Sequence, residues 1–330
     1  MSDTTYTIFG AEESPYSVKV RSYFRYKQLP HEWKGRHQDP ETYGKHARLP
    51  LIPLVVSSEG NALQDSTPII ETLEGSYSEP SIYPDDPVAK FVSDLLEEFG
   101  DEWGNKWMFH YRWARPVDQI GCATRLVKFN NPSIDGDQLD IAVNNLRDRM
   151  VNRVYFVGSN EQTAPQIEQS FQDSLKILET HLASRSYLFG ERPSFADFGL
   201  WGQIYNANRD TTPATFVAQA PNVLAWLDRM LNPQVLGEFE EWSAIQPTLL
   251  PLLKDQVGGM FLPWSVANSQ AIADNADEFS VEIDSGTWVQ KPQKYHARSL
   301  RAIREKYVAV SSNKELNQLL EETSCLQHLT

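Results

Sequence analysis

The sequence predicts a small α/β domain, then an all-helical domain, then a patterned C-terminal extension. Three observations carry this. The first 65 residues hold short strand-like runs around one strong helix start, Ser14-Pro15. A Pro-, Ser- and Asp-rich stretch from Ser76 to Pro87 separates them from the rest of the chain. Beyond it apolar residues recur at helical spacing, and no strand pattern returns until Phe279. The expected boundaries are 1–78 for the α/β domain, 79–87 for the linker, 88–262 for the helical domain and 263–330 for an extension packed on it.

At 330 residues the chain has room for two cores. Its net charge of −14 disfavours nucleic acid and anionic membrane surfaces as partners. The two cysteines, Cys122 and Cys325, form no C-x-x-C and read as buried thiols of a reducing compartment. Met1 to Thr5 lack the basic start and apolar core of a signal peptide. The apolar run Leu49 to Val56 is broken by two prolines and far too short to span a membrane. A cytoplasmic setting is expected. No histidine pair has ligand spacing, so no metal site is expected.

Taken in order, residues 5–9 read as the first strand. Ser14 then caps a helix over 15–28, with Pro15 at its first position, where the missing N–H costs nothing. Tyr16, Val20, Tyr23 and Phe24 share one helical face. Free N–H groups and the helix dipole suit that N-terminus to an anion such as a thiolate. Pro30 ends the helix, 31–34 form a second strand, and 35–48 a polar loop with at most one helical turn. Pro53 opens a strand over 54–57, since proline is tolerated at a strand's first residue. Residues 58–61 turn the chain and 62–64 return it. Asp65, Ser66 and Thr67 then open a second helix, with Ile69, Ile70 and Leu73 on its apolar face; by themselves they read equally well as an ordinary cap or as a binding site.

Ser14-Pro15-Tyr16-Ser17, then Ile52-Pro53-Leu54-Val55, then Gln64-Asp65-Ser66 with Ile69 beyond, resemble in kind and order the motifs of the glutathione S-transferase superfamily, over roughly residues 5–245. The first looks like the glutaredoxin C-P-Y-C site with serine for both cysteines. The resemblance implies a thioredoxin-like N-terminal domain that binds glutathione as co-substrate. In it Pro53 is the cis proline, with Pro50 as its rival. The Ile52 backbone pairs with the cysteinyl part of glutathione, and Asp65 and Ser66 hold its γ-glutamyl end. Ser14 donates its hydroxyl to the sulfur; Tyr16 and Ser17 are alternative donors, and Tyr6 a weaker one. The resemblance also implies a homodimer joined along the domain interface and a role in detoxification.

Helical spacing marks segments 88–113, 137–152, 163–183, 195–209 and 221–231. Within them Ser194 and Asp197 form a capping box written with Asp, matching the family's buried [S/T]-x-A-D motif, and a structural role is expected. Trp103, Trp107 and Tyr111 form one aromatic stripe. Such a stripe reads as core, or, as the resemblance implies for Trp107 and Tyr111, as lining for the co-substrate pocket. His110 reads as an acid–base group or as a hydrogen-bonded surface or interface histidine. In the extension, Phe279 to Val289 predict a hairpin turning at Asp284-Ser285-Gly286. Leu300, Ile303 and Tyr307 predict a helix, and Ser312 with Glu315 caps a last one. The extension packs against the helical domain, covers a cleft, or makes a dimer contact.

A cysteine-like thiol has a pKa of ~8.5, and each unit of lowering needs ~1.4 kcal/mol. A helix N-terminus offers ~0.3–2 kcal/mol and a charge-assisted hydroxyl bond ~1.5–3 kcal/mol, together enough to populate the thiolate. With Ser rather than Cys at position 14, thiol–disulfide exchange is excluded. The expected chemistry is conjugation, isomerisation or reductive displacement at a small hydrophobic electrophile. The competing expectation is a non-catalytic binding or interaction protein on the same fold.

Overall fold

The computed structural model describes residues 4–330; the reading of the first residues as free of a signal peptide lies partly outside them, at Met1 to Asp3. The chain opens with β1 (Tyr6–Phe9), α1 (Pro15–Tyr26), β2 (His31–Lys34), α2 (Pro40–His46), β3 (Leu54–Ser57), β4 (Ala62–Gln64) and α3 (Ser66–Ser76). The strands form one sheet in the order β2-β1-β3-β4. β1 runs parallel to β2 and antiparallel to β3, which pairs antiparallel with β4. Helix α2 is a full two turns where the sequence suggested at most one. Asp39 accepts from the Thr42 N–H and Pro40 takes the first position, so a local cap makes this polar segment helical. Tyr43 of α2 packs on Phe9 on one side of the sheet, while α1 buries Val18, Val20, Tyr23 and Phe24 on the other.

The irregular segment after α3 carries a second cis proline bond, Glu79–Pro80, besides Ile52–Pro53. Helix α4 (Pro87–Phe99) continues through a π-helical turn, Gly100–Gly104, into α5 (Asn105–Ala114). Next come α6 (Pro116–Asn130), α7 (Gly136–Val151), α8 (Ala164–His181), α9 (Phe195–Asn208), α10 (Thr211–Val217), α11 (Pro221–Arg229) and α12 (Trp242–Pro251). A π-helical stretch, Leu252–Phe261, joins α12 to α13 (Leu262–Ala273). The expected boundary at 262/263 therefore falls inside one unbroken helical run.

Helix α9 is the centre of the molecule. It is apolar around its circumference and buried along nearly its whole length, as such helices must be. Two glycines let its neighbours approach. A Cβ at Gly199 would stand 2.8 Å from the Glu97 carbonyl oxygen of α4, and one at Gly202 2.7 Å from that of Pro15 in α1. The second contact seats the α/β domain on the helical one.

The extension forms a hairpin, β5 (Phe279–Ile283) and β6 (Gly286–Gln290), then α14 (His296–Val310), α15 (Lys314–Glu322) and α16 (Leu326–Leu329). The cap of α15 is Asn313, accepting from the Leu316 N–H at 3.1 Å, not Ser312; the amide of the next residue reaches the helix end first. Helix α14 packs on α4 through Tyr307 against Phe91 and Ser299 against Glu98. It also reaches the α/β domain: the Lys306 ammonium bonds Glu71 of α3 at 2.7 Å and Asp94 of α4 at 3.0 Å.

Candidate functional site

Arginines of the helical domain clamp the loop before α1. Arg112 donates to the Glu13 carbonyl at 2.8 Å, and Arg209 and Arg125 reach the Glu13 carboxylate at 2.9 and 3.3 Å. Ser14 then caps α1 as expected. Its oxygen accepts from the Ser17 N–H at 3.2 Å and from the Ser17 hydroxyl at 2.9 Å, leaving its own proton uncommitted. Ser17 is fully buried behind it.

Two cavities open between the α/β domain, the α4–α5 helix and the extension. The apolar one, about 320 Å³, is where Ile52, Pro53, Asp65 and Ser66 come together with Tyr16. The polar one, about 430 Å³, shares Tyr16 and Asp65 and runs along α14. Ser14 lies half-buried outside the lining of both, because its oxygen is folded back onto the helix end. Tyr16, two residues on, is the α1 hydroxyl that lines them. Its phenol donates to the Asp101 main-chain oxygen at 2.9 Å, and burial, with the Asp101 charge next, pushes its pKa well above the ordinary value. Tyr6 instead shares a hydrogen bond with Tyr77 at 2.9 Å and lines neither cavity.

The expectation for Trp107 and Tyr111 is corrected. Both are core side chains, 1% and 0% exposed. The Trp103 and Trp107 indoles donate to Ser170 at 2.9 and 3.0 Å. Asn105 and Phe109 of the same helix face the apolar cavity instead. Two residues along an α-helix turn the side chain by ~200°, so this pair lies almost opposite the aromatic stripe. His110 is buried, with its two nitrogens at 2.8 Å from Ser159 and 2.9 Å from Glu168. The Ser194–Asp197 capping box forms within the core, and Asp197 also accepts from the Leu188 N–H and the Trp226 indole.

The polar cavity is dominated by carboxylates. Glu98, Asp101 and Glu102 come from α4 and the π-helical turn, and Asp65 and Glu71 from α3 and its cap. Lys19 of α1 pairs with Glu97 and, at 2.7 Å, with Asp101, so charge crosses the domain interface. The acids outnumber their cations. Burial, with Glu97 nearby, pushes Glu98 up to about 8; Asp101 rises to about 7 from burial, though Lys19 opposes it. Ser66 donates to Asp101 at 3.3 Å.

Sequence reasoning missed the extension residues that wall the site, two of them above all. Tyr295 lines both cavities and His296 the apolar one. The His296 Nδ1 is bonded to Glu102, and burial lowers its pKa to about 4. No spacing in the sequence marks either residue; the apolar periodicity of α14 signalled only that the tail folds. Among the described residues no group of three or more His, Cys, Asp or Glu is arranged to hold a metal, and no helix is long and apolar enough to cross a membrane.

This arrangement has relatives among known proteins. The family model "Glutathione S-transferase, N-terminal domain" matches residues 8–81, and "Glutathione S-transferase, C-terminal domain" matches 161–229. Maleylacetoacetate isomerase of Dictyostelium discoideum is 22% identical over 224 residues, 64% of this chain and 85% of that protein. The isoprene-epoxide–glutathione S-transferase of Rhodococcus sp. is 20% identical over 229 residues, 66% of this chain and 91% of that protein. Among solved structures, β-etherase LigF of Sphingobium sp. superposes with a TM-score of 0.44 at 21% identity, covering 69% and 95% of the two chains. Both domain models of the glutathione S-transferase family are thus matched in order, the first on a thioredoxin-like domain and the second on the helical one that follows.

Proposed function

We propose that this chain is a glutathione-dependent enzyme that directs the glutathione thiolate at a small hydrophobic electrophile in the apolar cavity. The observation that carries the reading is the convergence of Ile52, Pro53, Asp65 and Ser66 on that one cavity, beside the N-termini of α1 and α3. In this reading the Ile52 backbone pairs with the cysteinyl part of glutathione, and Asp65 and Ser66 take its γ-glutamyl end. Ser14, whose proton is uncommitted, donates to the sulfur, with the positive end of α1 behind it. Tyr16 is the competing donor, because it is the hydroxyl on the cavity wall. Relatives named for an isomerisation and for an epoxide conjugation support the same general chemistry. A homodimeric assembly and a role in detoxification are carried by the family likeness alone, and a cytoplasmic setting by the two free, buried thiols.

The test is a titration of reduced glutathione into wild type, Ser14→Ala and Tyr16→Phe, tracking thiolate absorbance in the ultraviolet against pH. Wild type is expected to bind and to lower the thiol pKa. Ser14→Ala should bind without lowering it, and Tyr16→Phe should behave as wild type. A reversed pattern transfers the donor role to Tyr16. Absence of binding by wild type overturns the reading. One observation favours a second reading, a binding protein without catalysis: the Tyr295 phenol already holds Asp65 at 2.6 Å. Turnover of any electrophile by wild type excludes it.

A further inference from the structure

Helix α14 begins with a histidine whose surroundings differ from those of the other buried imidazoles. His181 and His110 each have both ring nitrogens engaged by protein groups. His296 has one. Its Nδ1 is bonded to the Glu102 carboxylate, Nε2 has no hydrogen-bond partner among the described residues, and the residue lines the apolar cavity. The ring is fixed edge-on against Trp264, with centroids 5.0 Å apart. Glu102 sits in the π-helical turn, itself a departure from regular helix of the kind often found at functional sites. An imidazole oriented by a carboxylate at one nitrogen, with its other nitrogen unpartnered among the described residues and its ring in a cavity wall, is the arrangement of a general base.

We propose that His296, oriented by Glu102, is the proton-transfer residue of this site, and that the electrophile is one whose product must gain a proton, an epoxide or an activated alkene. The proposal rests on the glutathione reading. With Nδ1–H donating to Glu102, the Nε2 lone pair is left to accept a proton. The glutathione S–H bond breaks and its proton passes to Nε2, while the sulfur lone pair forms the S–C bond. The C–O bond of the epoxide, or the π bond of the alkene, breaks onto oxygen or onto the neighbouring carbon. That atom then takes the proton from Nε2–H. The imidazole returns to its neutral form, and no oxidant or reductant enters. Burial, which lowers the imidazole pKa to about 4, keeps the ring neutral before the reaction. The donor hydroxyl and His296 do different work, since the hydroxyl stabilises the sulfur anion and the imidazole carries the proton. An electrophile that expels a halide uses His296 only to take the thiol proton, which the donor hydroxyl and the helix N-terminus already loosen, and needs no proton returned, so it gains far less from His296.

The experiment compares wild type, His296→Gln and Glu102→Gln on styrene oxide and on 1-chloro-2,4-dinitrobenzene, with glutathione binding measured by calorimetry alongside. His296→Gln is expected to lower kcat on the epoxide by about 10²–10⁴-fold. The halide reaction should fall less than about tenfold, with glutathione affinity unchanged. Glu102→Gln, which leaves the ring in place, should give the same pattern with a smaller fall and covers the case in which His296→Gln does not fold. An equal fall on both substrates, or none on either, overturns the role of His296 while leaving the glutathione reading intact. Wild type that turns over only the halide overturns the substrate class. Wild type that binds no glutathione overturns both readings.

Discussion

Tyr295 donates its phenolic hydrogen to the carboxylate of Asp65 at 2.6 Å, joining residues 230 positions apart in the chain. Asp65 is the cap residue of α3, held at a φ of +84°, and its side chain makes no cap bond to its own helix. It is therefore turned toward the cleft, where the extension meets it. An exposed hydrogen bond of this kind contributes about 0.5–1.5 kcal/mol net. Tyr295→Phe should release Asp65 for the γ-glutamyl ammonium of glutathione and tighten binding by about two- to tenfold, measured by calorimetry. Weaker binding instead would mean that the Tyr295 hydroxyl itself contacts the ligand.

Asp197 answers four donors at once: the Leu188 and Ser194 N–H groups, the Ser194 hydroxyl and the Trp226 indole. Removing it leaves buried donors without partners, each costing about 1–3 kcal/mol. Asp197→Ala should lose more than about 3 kcal/mol in urea unfolding. Ser194→Ala should lose only the cap, about 0.5–2 kcal/mol.

Lys106 is a buried lysine with no acid beside it among the described residues. Its Nζ sits 3.6 Å from the centroid of the Trp264 ring, with Trp103 and Trp288 also close, and donates to the Val157 carbonyl at 3.2 Å. Burial pushes its pKa well below the ordinary lysine value. The unfolded chain binds this proton more readily than the folded one, so the lysine costs stability below its unfolded pKa, and the cost shrinks as pH rises. Lys106→Met should stabilise the protein by about 0.5–2 kcal/mol. The gap over wild type should be widest at low pH, as thermal melts at pH 6 and pH 9 would show.

Glu98 and Asp101 give the opposite slope. Both acids hold their protons to about pH 8 and pH 7 when folded and release them near pH 4 when unfolded. Between those limits the folded state binds more protons, so stability falls as pH rises. Glu98→Gln should remove its share of that fall. Relative to wild type, the variant should gain more than about 1.4 kcal/mol between pH 5 and pH 8, the equivalent of a one-unit shift. A constant difference across that range would contradict the burial-driven shift.

The α/β domain was readable because its signals are local. Ser14-Pro15 marks a helix start and Pro53 a strand start, within a few residues of the structures they specify. The order of those motifs was enough to group Ile52, Pro53, Asp65 and Ser66. The aromatic stripe was left open between core and pocket, because periodicity gives a helix a face but not the direction of that face. Trp107 and Tyr111 met α8, and Asn105 and Phe109 met the cavity. Tyr295 and His296 were illegible for a different reason. Their partners, Asp65 and Glu102, lie 230 and 194 residues earlier, and nothing in the sequence near His296 refers to them.

Helix α14 lies against α3 and α4 and completes the cleft with residues of the same chain. A wall supplied from within one polypeptide cannot be lost on dilution, as a wall borrowed from a second subunit would be. Turnover per chain should therefore stay constant down to nanomolar enzyme, whatever the state of assembly. A shortened chain ending before Phe279 would instead have an open trough where the wild type has a chamber, with Glu98 and Glu102 facing water.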